Sequence, residues 1–75
     1  MEMESLGTRL RACRTAKNIT RKQLGQLSGT DQSVIQKIEN GRTQMPRQIE
    51  AIAAAVDVNP AWLLFGEPWA NRERP

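Results

Sequence analysis

Apolar residues recur along this chain at helical intervals. Leu6, Leu10 and Cys13 stand at i, i+4 and i+7, and Leu24 and Leu27 at i and i+3. Ile35 and Ile38 repeat that spacing, and Ile49, Ile52, Ala53 and Val56 follow i, i+3, i+4, i+7. Such intervals gather each set on one side of a helix of about 3.6 residues per turn. No stretch alternates apolar and polar residues long enough to suggest a strand.

Start and stop signals divide the pattern into five helices. Ser5 is placed to cap the first, which Asn18 ends. Thr20 and Gln23 have the spacing of a capping box, opening a second helix from Arg21 to about Ser28 with Leu24 and Leu27 inward. Gly29 then takes a left-handed turn. Asp31 or Thr30 caps a third helix whose core side carries Ile35 and Ile38, and Gly41 stops it. The exposed loop "RTQMP" follows, Pro46 and Arg47 lead into the fourth helix, and Asn59-Pro60 opens a fifth that runs to Phe65. The expectation is an all-α, compact five-helix domain over residues 1–66, with "GEPWANRERP" from Gly66 onward reading as a tail or linker over residues 67–75.

A chain of 75 residues is one small domain, without room for both a core and a large cavity. With a single cysteine, Cys13, and no histidine, an intrachain disulfide and zinc-finger spacing are excluded. No metal or cofactor is expected. The runs "AIAAAV" and "AWLLF" fall far short of the roughly 20 residues that span a bilayer, and "MEMES" has no signal-peptide pattern; a cytoplasmic, membrane-free protein is expected. Ser33 and Lys37 lie one turn apart, but an exposed helix offers such a pair neither burial nor an oxyanion hole. Neither catalytic residues nor a small-molecule substrate are expected.

Charge placement says more than the net +3. From Ser5 to Arg47 there are nine cations (Arg9, Arg11, Arg14, Lys17, Arg21, Lys22, Lys37, Arg42, Arg47) against Asp31 and Glu39, so this segment carries 9 − 2 = +7 and the remainder 3 − 7 = −4. A basic half suits a polyanion. A solvated charged face is the alternative.

The second and third helices, joined by a tight glycine turn, describe a helix-turn-helix. Leu24, Ile35 and Ile38 fall where the pair must pack, and Gly25 permits close approach. Opposite Ile35 and Ile38, the third helix offers Gln32, Ser33, Gln36 and Lys37. "TRKQLGQLSGTDQSVIQKIENG", followed by "PR" and "VNPAWLLFG", resembles the Xre-type helix-turn-helix family. Within it the likeness is to lambdoid-phage Cro proteins and phage repressor N-terminal DNA-binding domains, over Leu6 to Gly66.

That resemblance implies a third helix lying in the major groove of double-stranded DNA. Glutamine pairs with adenine N6/N7, lysine donates to guanine O6/N7 and serine serves either sense, so Gln32, Ser33, Gln36 and Lys37 become the base readers. The family pattern places phosphate contacts at Gln26, Asn40, Arg42, Thr43 and Arg47, and at the start of helix two beside Thr20 and Arg21, where free N–H groups favour an anion. It implies a structural salt bridge between Arg14 and Glu39. It further implies a homodimer, at least on DNA, that represses from a palindromic operator, with Met45, Leu64 and Phe65 as interface candidates.

The chain departs from the family at several points. Arg21 stands where many members have a glutamine that touches both a phosphate and the first reading residue. Asp31 opens the third helix, where a carboxylate facing phosphates would repel them, and is assigned to capping. Ser28 replaces a commonly apolar residue, which is expected to weaken helix-two packing. Gln44 and Met45 stand where relatives often carry two basic residues. A protein-interaction role, as in helix-turn-helix antitoxins, is the rival reading, with Trp69 either its contact or folded back on Trp62 and Phe65. The pattern suits a complete Cro-like protein and the reading domain of a longer repressor equally.

Overall fold

The computed structural model describes residues 5–43 and 46–66. They form α1 (Leu6–Ala16), α2 (Arg21–Ser28), α3 (Gln32–Glu39), α4 (Ile49–Ala55) and α5 (Pro60–Phe65), with no strand among the described residues. The caps of α1, α2 and α5 are those expected from the sequence, and the side-chain cap expected for α3 from Asp31 or Thr30 is not made. The Ser5 hydroxyl accepts from the Thr8 N–H at 3.2 Å. Thr20 and Gln23 complete the capping box, the Thr20 hydroxyl accepting from Gln23 N–H at 3.0 Å and the Gln23 side chain accepting from Thr20 N–H at 2.8 Å. Asn59 accepts from Ala61 N–H at 2.8 Å. Asp31 holds the N-cap position of α3 through its extended backbone, and its side chain makes no cap hydrogen bond.

The core is a single cluster of Leu6, Leu10, Leu24, Ile35, Ile38, Ile52, Ala53, Val56, Val58 and Leu63. α2 packs on α3 and α4, α1 on α3 and α5, and α4 on α5. Two glycines set how closely the helices meet. A Cβ on Gly25 would lie 2.8 Å from the Thr30 carbonyl oxygen, and one on Gly7 would lie 2.5 Å from that of Ile38. The turn between α2 and α3 is made by Gly29, left-handed at φ 72°.

Leu27 departs from the expected inward face. It is 64% exposed, while Ser28 is buried. At roughly 100° per residue, Leu24, Gly25 and Ser28 form one face, and the close approach at Gly25 turns that face to the core; Leu27 falls beyond its edge. The buried Ser28 hydroxyl donates to the Leu24 carbonyl at 2.8 Å, which satisfies its polar group inside α2. Met45, Gln44, Trp69 and residues 67–75 lie outside the described residues.

Gly7 yields a first prediction. Alanine there gains up to about 1 kcal/mol of helix propensity, but its Cβ meets two backbone carbonyls that cannot rotate away, Ile38 at 2.5 Å and Glu39 at 2.8 Å. Overpacking wins, and Gly7→Ala is expected to destabilise by about 1–2 kcal/mol in urea unfolding. A stabilised variant would mean that α1 and α3 separate freely.

Candidate nucleic-acid interface

α3 has two faces of opposite character. Ile35 and Ile38 are completely buried, whereas Gln32, Ser33, Gln36 and Lys37 are all exposed. Burial of the isoleucines fixes the helix about its own axis, so the amide, hydroxyl and ammonium groups project outward without covering apolar surface. An open cleft of about 560 Å³ brings Gln32 beside Thr20, Arg21 and Lys22 at the start of α2, with Arg14, Thr15, Asn18 and Ile19 completing its lining. Gln32 and the first turn of α2 therefore share one concavity.

Behind α3 lies a charged junction. The Glu39 side chain is wholly buried, and Arg14, with 12% of its side chain exposed, grips it at 2.7 Å. Arg14 Nε donates to one carboxylate oxygen and Nη2 to the other at 3.2 Å, while Nη1 donates to the Ile19 carbonyl at 2.9 Å. Arg21 Nε adds a bond of 3.0 Å to Glu39 Oε1, and Arg11 stands 3.9 Å away. Burial pushes the Glu39 carboxyl up, but the hydrogen bonds and charges of Arg14 and Arg21 outweigh it and leave the pKa below the ordinary value. The carboxylate thus stays ionised inside the protein.

The remaining sequence candidates are distributed over three places. Gln26 is exposed on α2. Asn40, Arg42 and Arg47 are exposed after α3, with Thr43 half-buried. Leu64 is half-buried and Phe65 57% exposed on α5, which packs on α1 and α4, away from the reading face. Arg21 lies where expected in the chain, but its guanidinium is bound to Glu39. The nine cations are therefore not all surface charge.

Arg9 was not singled out from the sequence. It is 4% exposed, and its guanidinium donates to the carbonyls of Leu63 at 2.9 Å and Leu64 at 2.7 Å. It also lies 5.9 Å from the centre of the Trp62 ring. A cation on the last carbonyls of α5 is favoured by the helix dipole. The available signal was its position within the Leu6, Leu10, Cys13 stripe, where a lone arginine needs buried acceptors. Lys22, exposed and lining the cleft, was not singled out either; its place beside the α2 cap was the signal. Burial raises the Cys13 thiol pKa despite the opposing charge of Arg9, disfavouring a reactive thiolate. Among the described residues there is no cluster able to hold a metal ion, and no helix is long and apolar enough to cross a membrane.

Two short helices hinged at a left-handed glycine, with the second presenting polar groups beside a basic cleft, define a helix-turn-helix domain. The chain belongs to the helix-turn-helix domain family, whose model matches residues 5–63; the match and the structural neighbours fit the Xre type. It is 34% identical over 64 residues to the HTH-type transcriptional regulator PrtR of Pseudomonas aeruginosa, covering 85% of this chain and 25% of that protein. The chain thus spans about a quarter of that relative. Among solved structures it is similar to the P22 c2 repressor in complex with a synthetic operator, at TM-score 0.80 and 28% identity, covering 85% of this chain and 98% of that one. It is also similar to the restriction-modification controller protein C.AhdI of Aeromonas hydrophila, at TM-score 0.71 and 37% identity, covering 77% and 89% of the two chains.

Proposed function

We propose that this chain is the DNA-reading part of a transcriptional repressor that binds a palindromic operator as a homodimer. The observation that carries the reading is the division of α3, with Ile35 and Ile38 at 0% exposure behind an outward row of Gln32, Ser33, Gln36 and Lys37. In the major groove these four meet base edges. Gln26, Asn40, Arg42, Thr43 and Arg47, with the N–H groups beside Thr20, take phosphates and set orientation without carrying sequence information. One short helix contacts few base pairs, so two copies supply selectivity. Leu64 and Phe65, together with Met45, are the proposed contact between copies, and two reading helices then fall about 34 Å apart. Repression follows if the bound dimer occludes a promoter. The likeness to the P22 c2 repressor in complex with a synthetic operator supports this reading.

Selection from a random duplex library, with affinity followed across salt, tests it. The expected product is a palindrome with half-sites one helical turn apart. Sequence-blind binding would sink it and favour the partner-protein reading, for which the exposed Leu27 on α2 offers an apolar contact.

Single substitutions separate the two kinds of contact. Lys37→Ala and Gln32→Ala should each lose about 2 kcal/mol of discrimination at particular base pairs. Arg42→Ala should weaken binding to all sequences alike and reduce the salt slope by about one. Uniform losses from the first two would overturn their role as base readers.

A further inference from the structure

α2 and α3 are hinged at one end and tied at the other. Gly29, Thr30 and Asp31 join the last turn of α2 to the first turn of α3, with Gly25 in close backbone contact there. At the open end, Arg21 is the first residue of α2 and Glu39 the last of α3, and Arg21 Nε donates to Glu39 Oε1 at 3.0 Å. A hinge alone leaves the angle between two rods to side-chain packing; a tie across the open ends makes the pair a braced triangle. The carboxylate at this tie is fully enclosed and Arg21 only 28% exposed, so the bond is little weakened by solvent. Arg14 braces the same carboxylate from α1, but a direct tie from α2 to the end of α3 comes from Arg21.

We propose that Arg21 is a positioning residue, a latch that closes the helix-turn-helix and sets the angle at which α3 meets the base edges, without neutralising a phosphate itself. This rests on the DNA-reading function proposed above. Its Nε is committed to Glu39 and its charge offsets that carboxylate; any shift that drew Nε off Glu39 would open the latch at the moment the reading helix must be held. Lys22, the next residue along, is exposed on the same cleft and serves as the cation for a phosphate there.

The two roles differ in salt dependence. A phosphate contact contributes about 0.9 to the slope of log affinity against log salt; a latch contributes nothing to it. Lysine keeps the charge of arginine but not the planar fork that reaches a carboxylate through Nε. The experiment titrates wild type, Arg21→Met, Arg21→Lys and Lys22→Ala by fluorescence anisotropy against the selected operator and a scrambled duplex over a salt series, with circular dichroism checking the fold. Arg21→Met and Arg21→Lys are both expected to lower the operator-to-scrambled ratio about tenfold with the slope unchanged. Lys22→Ala is expected to lower the slope by about 0.9 and keep the ratio. A slope reduced by about one in Arg21→Met, or a wild-type ratio in Arg21→Lys, overturns the proposal. So does loss of folding in both Arg21 variants, since the pair would then decide folding and not the angle. A wild-type protein that binds every duplex alike refutes the DNA-reading function instead, a result visible before any variant is compared.

Discussion

Arg14→Met is expected to destabilise the protein by about 3 kcal/mol in urea unfolding. Arg14 makes two bonds to a carboxylate with no exposed side-chain surface and a third to the Ile19 carbonyl. Removing it leaves Glu39 buried with Arg21, and Arg11 at 3.9 Å, as its partners. Those two keep the cost toward the lower end of what an orphaned buried charge incurs. Methionine fills much of the volume, so the loss reports the charge and hydrogen bonds more than a cavity. A change under 1 kcal/mol would mean that Arg21 alone holds the carboxylate.

The same junction predicts a pH dependence. Burial raises the Glu39 pKa, but bonds from Arg14 and Arg21 prevail and the folded value lies below the unfolded one. The unfolded chain then binds the proton more readily, so stability rises with pH across the interval between the two values. The Glu39 contribution is complete above the ordinary carboxylate pKa and is lost as pH falls through the lowered folded one. Arg11 and Arg14 of α1 and Arg21 of α2 are the charged groups that face it. In Arg14→Met the opposing effect of burial regains weight, and the acid-range slope of stability against pH should flatten. Unfolding midpoints measured between neutral and acid pH check this; an unchanged slope would remove Glu39 from the explanation.

Arg9→Met is expected to cost about 3 kcal/mol as well, through the loss of charge-assisted bonds that include those to Leu63 and Leu64. The Leu63 and Leu64 carbonyls accept from Arg9 at 2.9 and 2.7 Å, and α5 is six residues long, too short to persist without tertiary support. The damage should concentrate in α5. Hydrogen exchange of the Leu63 and Gly66 amides, which bond to Asn59 and Trp62 carbonyls at 3.0 and 2.7 Å, should accelerate more than that of α3. Under the proposed contact between copies at Phe65, self-association on DNA should weaken while a single α3 keeps its base preferences. Uniform acceleration across all helices would show that Arg9 supports the whole core and not one end of it.

Much of this was legible in the chain. Ser5, the Thr20–Gln23 pair and Asn59-Pro60 announce helix starts because the hydrogen bonds that satisfy free N–H groups are local in sequence. Gly29 and Gly41 announce stops because left-handed backbone is nearly free for glycine, and the structure has them at φ 72° and 78°. The buried pair Ile35 and Ile38 and the outward Gln32, Ser33, Gln36 and Lys37 follow from helical spacing alone. Leu27 was misplaced since a short helix carries too few apolar residues to fix its own rotation; the contact at Gly25 turned it.

Sequence by itself thus determined the five helices, the caps at Ser5, Thr20 and Asn59, the turn between α2 and α3, and which side of α3 is polar, since each depends on residues within about one turn of one another. Tertiary structure decided which cations face outward. The place of Arg9 in the apolar stripe announces burial, but local spacing names the partner of neither Arg9 nor Arg21. Their partners lie 54 and 18 residues away, at Leu63 and Glu39, and packing of α1, α2, α3 and α5 brings them within hydrogen-bond reach.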